Sequence, residues 1–390
     1  MRPDARVQAA AECLDRVLAG EAAEKVLTAW ARGARYAGSK DRAVVRDHVY
    51  DVLRQKRLCA HLGGGETGRA LMIGLIRAHG EAPEAFFTGE RHAPAVLGAA
   101  ERAEPMPPPE AGFAELPDWL LPGLEARYGA ALAPQLAALR HRAPVFLRVN
   151  GRKATREAAI AQLAEDAIVV RPSASSEMAL WVEEGARGVA RSRALKAGMV
   201  ELQDLSSQSA MESIPLCKGM KVLDYCAGGG GKTLALAGRV EAEFFAHDIN
   251  PARMRDLPPR AARAGVAVRR VDTPDLARWA PYDLVLCDVP CSGSGTWRRD
   301  PDAKWRFTPE RLEALTKEQD RILDAAAPMV APAGMLAYAT CSLLPDENEA
   351  RITRFCARHP GWHVAFSHQF LLGEAGDGFF VAHLRRDVES

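Results

Sequence analysis

Apolar positions recur at helical spacing through residues 1–82. Val7, Ala10, Cys13, Leu14, Val17 and Leu18 form one stripe, and Val44, Val45, His48, Val49, Val52 and Leu53 form a second, the i, i+3, i+4 rhythm of amphipathic helices. Ser39-Lys40-Asp41 offers an N-cap for the second helix, and Gly63-Gly64-Gly65 breaks the pattern after it. An all-α domain is predicted there. Pro94, Pro105, Pro107, Pro108 and Pro109 then crowd residues 83–112; so many prolines exclude continuous helix or central strand, and the stretch reads as a linker. Residues 113–209 mix signals: helical Trp119 to Tyr128 and Arg156 to Leu163, strand-like Val145 to Val149 and Ala179 to Val182. A small α+β module fits. Over 210–390 short apolar strands (Val222 to Asp224, Phe244 to Ile249, Val266 to Val271, Asp283 to Cys287, Met335 to Tyr338) alternate with helical stretches (Thr233 to Arg239, Pro251 to Ala264, Pro309 to Met329, Asp346 to His359). That alternation predicts an α/β domain with a parallel sheet covered on both faces.

Composition narrows the class. With 390 residues, 48% hydrophobic and 26% charged, the chain can bury several cores and is not globally disordered. No apolar run approaches the ~18 residues of a membrane span, and Met1 to Arg6 lacks a signal-peptide core, so a cytoplasmic, reducing setting with no membrane partner is expected. The eight cysteines contain no Cys-x-x-Cys pair, which argues against structural zinc; no metal site is expected. A net charge of +1 hides local grouping. Arg32, Arg35, Lys40, Arg42, Arg46, Arg54, Lys56 and Arg57 face only three acids between 32 and 57, and the run from Arg140 to Arg156 contains none. Near neutrality therefore does not exclude a nucleic-acid partner.

Asp224-Tyr225-Cys226-Ala227-Gly228-Gly229-Gly230-Gly231-Lys232-Thr233 joins the first strand of the α/β domain to its helix. Glycines there let backbone pass close to a ligand, and a following helix start favours an anionic group. Asp248, about twenty residues on, sits where a carboxylate accepts ribose hydroxyls, and Asp272 ends the third strand beside an expected adenine site. A nucleoside cofactor is expected. The alternative, a phosphate-binding loop with Asp288 on magnesium, fails because G-x-x-x-x-G-K-[ST] needs glycine where Cys226 stands.

Two further loops leave strand ends: Cys287-Asp288-Val289-Pro290-Cys291-Ser292-Gly293 and Thr340-Cys341-Ser342. In a doubly wound sheet both open at the carboxyl edge where ligands bind. A pair of thiols beside an adenosine-bearing cofactor suits one reaction class: a thiolate adds to carbon 6 of cytosine, carbon 5 becomes nucleophilic toward a methyl sulfonium, and the second thiol assists release. Arg298, Arg299, Lys304 and Arg306, interleaved with Trp297 and Trp305, suit a phosphate-and-stacking surface next to that loop, and Gln203, Asp204 and Gln208 suit the pocket of an unpaired base.

At these residues the chain resembles the bacterial RNA cytosine-5 methyltransferases, most of all the ribosomal RNA enzymes with a NusB-like N-terminal domain. The family loop D-x-C-A-A-P-G-G-K-T is matched from Asp224 to Thr233, with Gly228 for alanine and Gly229 for proline; D-A-P-C-S-G is matched from Asp288 to Gly293, with Val289 for alanine. Thr340-Cys341-Ser342, Glu347-Asn348-Glu349, Gln203 to Gln208 and Gly376 to Ala382 follow the same pattern, while the N-terminal domain departs most. The resemblance implies a Rossmann-like class I methyltransferase domain behind an RRM-like module and a shortened NusB-like RNA-binding domain. It implies S-adenosylmethionine as cofactor, held by Cys226, Ala227, Gly228, Gly229, Gly230, Gly231, Lys232, Asp248, Asp272 and Asp288, with Lys232 expected on the methionine carboxylate. Cys341 is implied as the nucleophile and Cys291 as the release residue. RNA is the implied partner, ribosomal RNA first and transfer RNA as alternative, met by Arg42, Arg46, Gln203, Gln208, Arg298, Arg299 and Lys304, in a monomer without an obligate protein partner. An RNA-binding assembly factor with weakened activity is the alternative that the two glycine replacements leave open.

Overall fold

The computed structural model describes residues 1–110, 112–373 and 376–387. The chain divides into two compact units: one of Met1–Glu125, Ala130–Arg142 and Trp297–Phe307, the other of Ala126–Gly129, Ala143–Thr296 and the chain from Thr308 onward.

The first unit is helical: α1 (Pro3–Leu18), α2 (Ala23–Gly33), α3 (Ser39–Arg54), α4 (Lys56–Gly63) and α5 (Gly68–Ala78). The two apolar stripes pack as expected, with Val7, Ala10, Cys13 and Leu14 against Val45, Val49, Val52 and Leu53 and the Leu71 to Ile76 run of α5; each fully buried large aliphatic side chain contributes roughly 1.5–3 kcal/mol. Gly38, rather than Ser39, occupies the N-cap of α3, and Asp41 accepts its N–H at 3.1 Å. Gly74 lets α4 and α5 touch through their backbones: a Cβ there would lie 1.8 Å from the Cys59 carbonyl oxygen. The proline-rich stretch holds two short helical turns, Pro83–Ala85 and Ala99–Arg102, and is strapped down. Arg69 donates to the carbonyls of Ala95 and Val96 and pairs with Glu101 at 2.7 Å, while Phe87 and Leu97 enter the core.

The second unit carries two sheets. The smaller contains β1 (Val145–Val149), β2 (Val169–Pro172), β3 (Ala179–Glu184) and β4 (Val200–Leu202) in the order β2-β3-β1-β4, antiparallel throughout. Leu147, opposite Leu180 and Leu202, packs with Ala159 and Leu163 of the helix Arg156–Glu165.

The larger sheet contains β5 (Lys221–Asp224), β6 (Glu243–Ala246), β7 (Val268–Arg270), β8 (Tyr282–Asp288), β9 (Val330–Thr340), β10 (Trp362–Phe370) and β11 (Phe379–Arg386), ordered β10-β11-β9-β8-β5-β6-β7. The run β9-β8-β5-β6-β7 is parallel, as the alternating pattern predicts. Along β8, Leu284 and Leu286 point to helices Leu205–Glu212 and Gly231–Ala237, while Val285 and Cys287 point to helices Pro309–Ala326 and Glu349–Arg358. The sheet is mixed rather than parallel, because β11 lies antiparallel to β9 and β10 antiparallel to β11. The expected helix Pro251 to Ala264 also divides, into a turn at Pro251–Met254 and a helix Leu257–Ala264. Pro258 and Pro259 lack N–H groups, which a helix tolerates only in its first turn. Between β5 and β8 the strand order reverses. This is the topological switch point, where ligands enter from the carboxyl ends of the strands.

Candidate active site

Each candidate carboxylate lies at that edge. Asp224 and Asp288 close β5 and β8, Asp248 lies two residues beyond β6, and Asp272 two beyond β7. The glycine-rich loop crosses between Asp224 and the helix Gly231–Ala237. Gly228 takes φ +48° and Gly230 φ +78°, and a Cβ on Gly230 would stand 2.2 Å from Leu257 Cδ1, so this loop has no room for a side chain there. Asp248, buried, accepts the N–H of Gly228 at 3.1 Å and pairs with Arg253 at 3.3 Å. Arg260 donates to the Gly229 carbonyl oxygen and is itself paired with Glu201 at 3.1 Å, a support that nothing in the sequence signals. Asp272 is exposed at the start of the turn Thr273–Asp275. A run of four glycines, a buried acid at the second strand end and a lysine in the following helix fit a nucleoside cofactor by chemistry.

Lys232 pairs with Asp288 at 2.5 Å and lies over the Phe379 ring at 5.2 Å. Its partner in the structure is thus Asp288. Burial works against its charge, but the carboxylate prevails and its pKa is raised. Asp224 beneath the loop accepts the Thr233 hydroxyl at 2.6 Å, and burial pushes its pKa up to about 7.

Register brings the two thiol loops together. Cys287 and Asp288 pair with Tyr338 and Ala339 across β8 and β9, so Cys291 and Cys341 leave adjacent strands at the same edge. Their Sγ atoms lie 3.4 Å apart. The hydrogen bond from Cys291 lowers the pKa of Cys341, against burial and Asp288 and with help from Lys232. The same bond, with burial and the neighbouring Cys341 and Glu347, drives that of Cys291 well up. Of the two sulfurs, Cys341, the one beside the lysine, is thus the one that ionises more readily. Cys226, half-buried in the loop, and Cys287, fully buried in β8, are both held as thiols by burial.

The expected RNA-facing cluster does not assemble as a surface. Lys304 is 1% exposed and donates to the Arg54 carbonyl at 3.2 Å. Arg298 is buried, its own carbonyl accepting from Arg54 at 2.8 Å, and Trp297 is buried beside Phe307. Trp305 donates to the Leu53 carbonyl at 2.7 Å. Segment Trp297–Phe307 thus completes the helical unit with Arg298 and Lys304 turned inward, while Arg306 stays exposed. Arg299 is exposed, as are Arg42 and Arg46, the last paired with Glu24 at 3.2 Å. Gln203 accepts from Arg148 at 2.6 Å; Gln208 is buried and donates to the Gln203 carbonyl at 2.8 Å, its amide oxygen without a partner among the described residues. Among those residues no helix is long and apolar enough to cross a membrane.

The family model for the 16S rRNA methyltransferase RsmB/F matches residues 214–385, and a ferredoxin-like domain of the RsmF/B-like methyltransferases matches residues 116–187. Ribosomal RNA small subunit methyltransferase B of Photorhabdus laumondii is 33% identical over 284 residues, covering 69% of this chain and 66% of that protein. The protein of the same name from Vibrio cholerae is 33% identical over 290 residues, covering 71% and 67%. The chain thus spans about two thirds of the length of these relatives. The crystal structure of PH0851 aligns over 99% of both chains at TM-score 0.77 and 23% identity, and that of NSun6 from Pyrococcus horikoshii with SFG over 70% of this chain and 99% of its own at 0.61 and 20%. Both share the fold.

Proposed function

The chain belongs to the RsmB/F family of 16S rRNA methyltransferases, and from that premise we propose that it methylates carbon 5 of a cytosine in RNA, with ribosomal RNA as the substrate. The observation that carries the reading is the thiol pair at the switch point, 3.4 Å apart. The Cys341 thiolate attacks carbon 6, forming a carbon–sulfur bond and moving the ring electron pair to carbon 5. Gly228 to Lys232 and Asp248 would hold S-adenosylmethionine, which would supply an electrophilic methyl group for carbon 5. After loss of the carbon 5 proton the carbon–sulfur bond breaks, its electron pair returns to Cys341, and the Cys291 S–H donates to that sulfur as it regains charge. Lys232 favours the thiolate at both ends of this cycle, and Asp288 holds Lys232 in place.

The helical residues 1–82 and the module at 113–209 are assigned to RNA docking, and residues 210–390 to catalysis in a monomer. Cys341→Ser is expected to abolish methyl transfer, whereas Cys291→Ala accumulates a covalent RNA adduct; an adduct in the Cys341 variant instead reverses the roles. Bisulfite sequencing of ribosomal and transfer RNA from a deletion strain identifies the substrate. No missing 5-methylcytosine in either would count against the activity.

A further inference from the structure

The contact between the two sulfurs is too weak to hold two loops in register, since a thiol is a poor donor and a poor acceptor. The loops are tied beneath the thiols instead. Ser292 follows Cys291 and Ser342 follows Cys341, and both reach one buried carboxylate, Glu347. Glu347 accepts from the Ser292 N–H at 2.8 Å, from the Ser292 hydroxyl, from the Ser342 hydroxyl at 2.5 Å and from Gln319 Nε2 at 3.0 Å. Ser294 completes the layer, its hydroxyl 3.1 Å from that of Ser292 and 3.0 Å from that of Ser342, and it accepts the Leu343 N–H at 2.8 Å.

A carboxylate with no solvent exposure is costly unless donors surround it, and this one is fully surrounded. Three of its four donors belong to residues that directly follow a cysteine. Gln319, the fourth, also donates to the Pro290 carbonyl at 2.9 Å, on the other side of Cys291. Glu347 itself is fixed from behind: its carbonyl accepts the buried Tyr338 hydroxyl at 2.6 Å. Displacing the carboxylate would therefore remove a support that both loops share, leaving between them the bond from the Gly295 N–H to the Cys341 carbonyl at 3.0 Å and the contacts of Ser294.

We propose that Glu347 is a positioning residue that sets the spacing of Cys291 and Cys341 by clamping the residue after each, so that one thiol donates to the other. The functional meaning rests on the cytosine methylation reading; the geometry does not. Alkylation by iodoacetamide across pH, followed at each cysteine by peptide mass mapping of the full chain, reads the pair without RNA. In the wild type Cys341 is expected to react at lower pH than Cys291. Glu347→Ala is expected to make the two profiles converge. Glu347→Gln should keep them apart while shifting both downward, because the serine hydroxyls can rotate to accept from the amide and the negative charge is gone.

Methyl transfer should fall about 100-fold in the alanine variant and recover to within about 10-fold in the glutamine variant, with S-adenosylmethionine binding unchanged in both, as expected for a misplaced reacting pair. A folded alanine variant that keeps the wild-type order of alkylation overturns the proposal. Should that variant fail to fold, Ser292→Ala combined with Ser342→Ala removes two of the four donors and leaves the carboxylate; unchanged profiles there overturn it equally. Profiles that respond as expected in a protein without methyl transfer would sink the enzymatic reading alone.

Discussion

Asp224→Asn tests what it costs to keep a carboxylate under the cofactor loop. Asp224 is 1% exposed; one oxygen accepts the Thr233 hydroxyl, and the other has no partner among the described residues. Burial, with Asp288 nearby, raises its pKa from 3.8 to about 7. The folded protein then holds this proton more tightly than the unfolded chain, so the group's contribution to stability is complete below pH 3.8 and is lost as pH rises through about 7. About three pH units correspond to roughly 4 kcal/mol, an upper figure because buried sites relax. Asparagine keeps the acceptor for Thr233 and cannot ionise, but it leaves an amide N–H unpaired at a cost of about 1–3 kcal/mol. The variant should therefore be less stable than the wild type near pH 4 and equal or more stable near pH 8. The gap between the two should change by as much as about 4 kcal/mol across that window. Thermal melting at half-unit pH steps measures it; parallel curves for the two proteins would refute the buried charge.

Lys232→Met removes the cation beside Cys341 and strands Asp288, both of which raise the cysteine's pKa; the midpoint of Cys341 alkylation should move up by about one pH unit, and an unmoved midpoint sinks the role given to Lys232. Asp302→Ala breaks the bond that Asp302 accepts from the Ala23 N–H at 3.0 Å at the start of α2. Losing that buried cap should cost the helical unit about 1–2 kcal/mol, read as faster amide hydrogen exchange in α2.

The thiol pair was legible because it depends on few decisions. Once the apolar runs before Asp288 and Cys341 are read as neighbouring parallel strands, period and direction bring their ends to one edge, and the observed pairing of Asp288 with Ala339 does so. The same holds for Asp224 and Asp248, whose strands pair Asp224 with Ala246. The final hairpin was not legible for a related reason. Trp362, Val364 and Phe366 of β10 alternate with His363, Ala365 and Ser367, but beyond Trp362 both sets are exposed, so the alternation marks no buried face.

Charge next to a catalytic loop carries no such constraint. Arg298, Lys304 and the tryptophans read locally as an RNA surface, yet what decides their exposure is α3, about 250 residues earlier, whose last carbonyls take the Lys304 ammonium and the Trp305 indole. Burial of Lys304 lowers its pKa to about 7, with Glu115 opposing the shift, the electrostatic mark of a lysine removed from water rather than one offered to phosphate. Glu347 stands between these cases. Its motif was visible, but its work was not, because its partners Ser292 and Ser342 lie in two loops that only the sheet brings within reach of one side chain. A residue that acts by joining loops leaves no spacing of its own in the sequence, and it is found only by asking what holds two reactive atoms 3.4 Å apart.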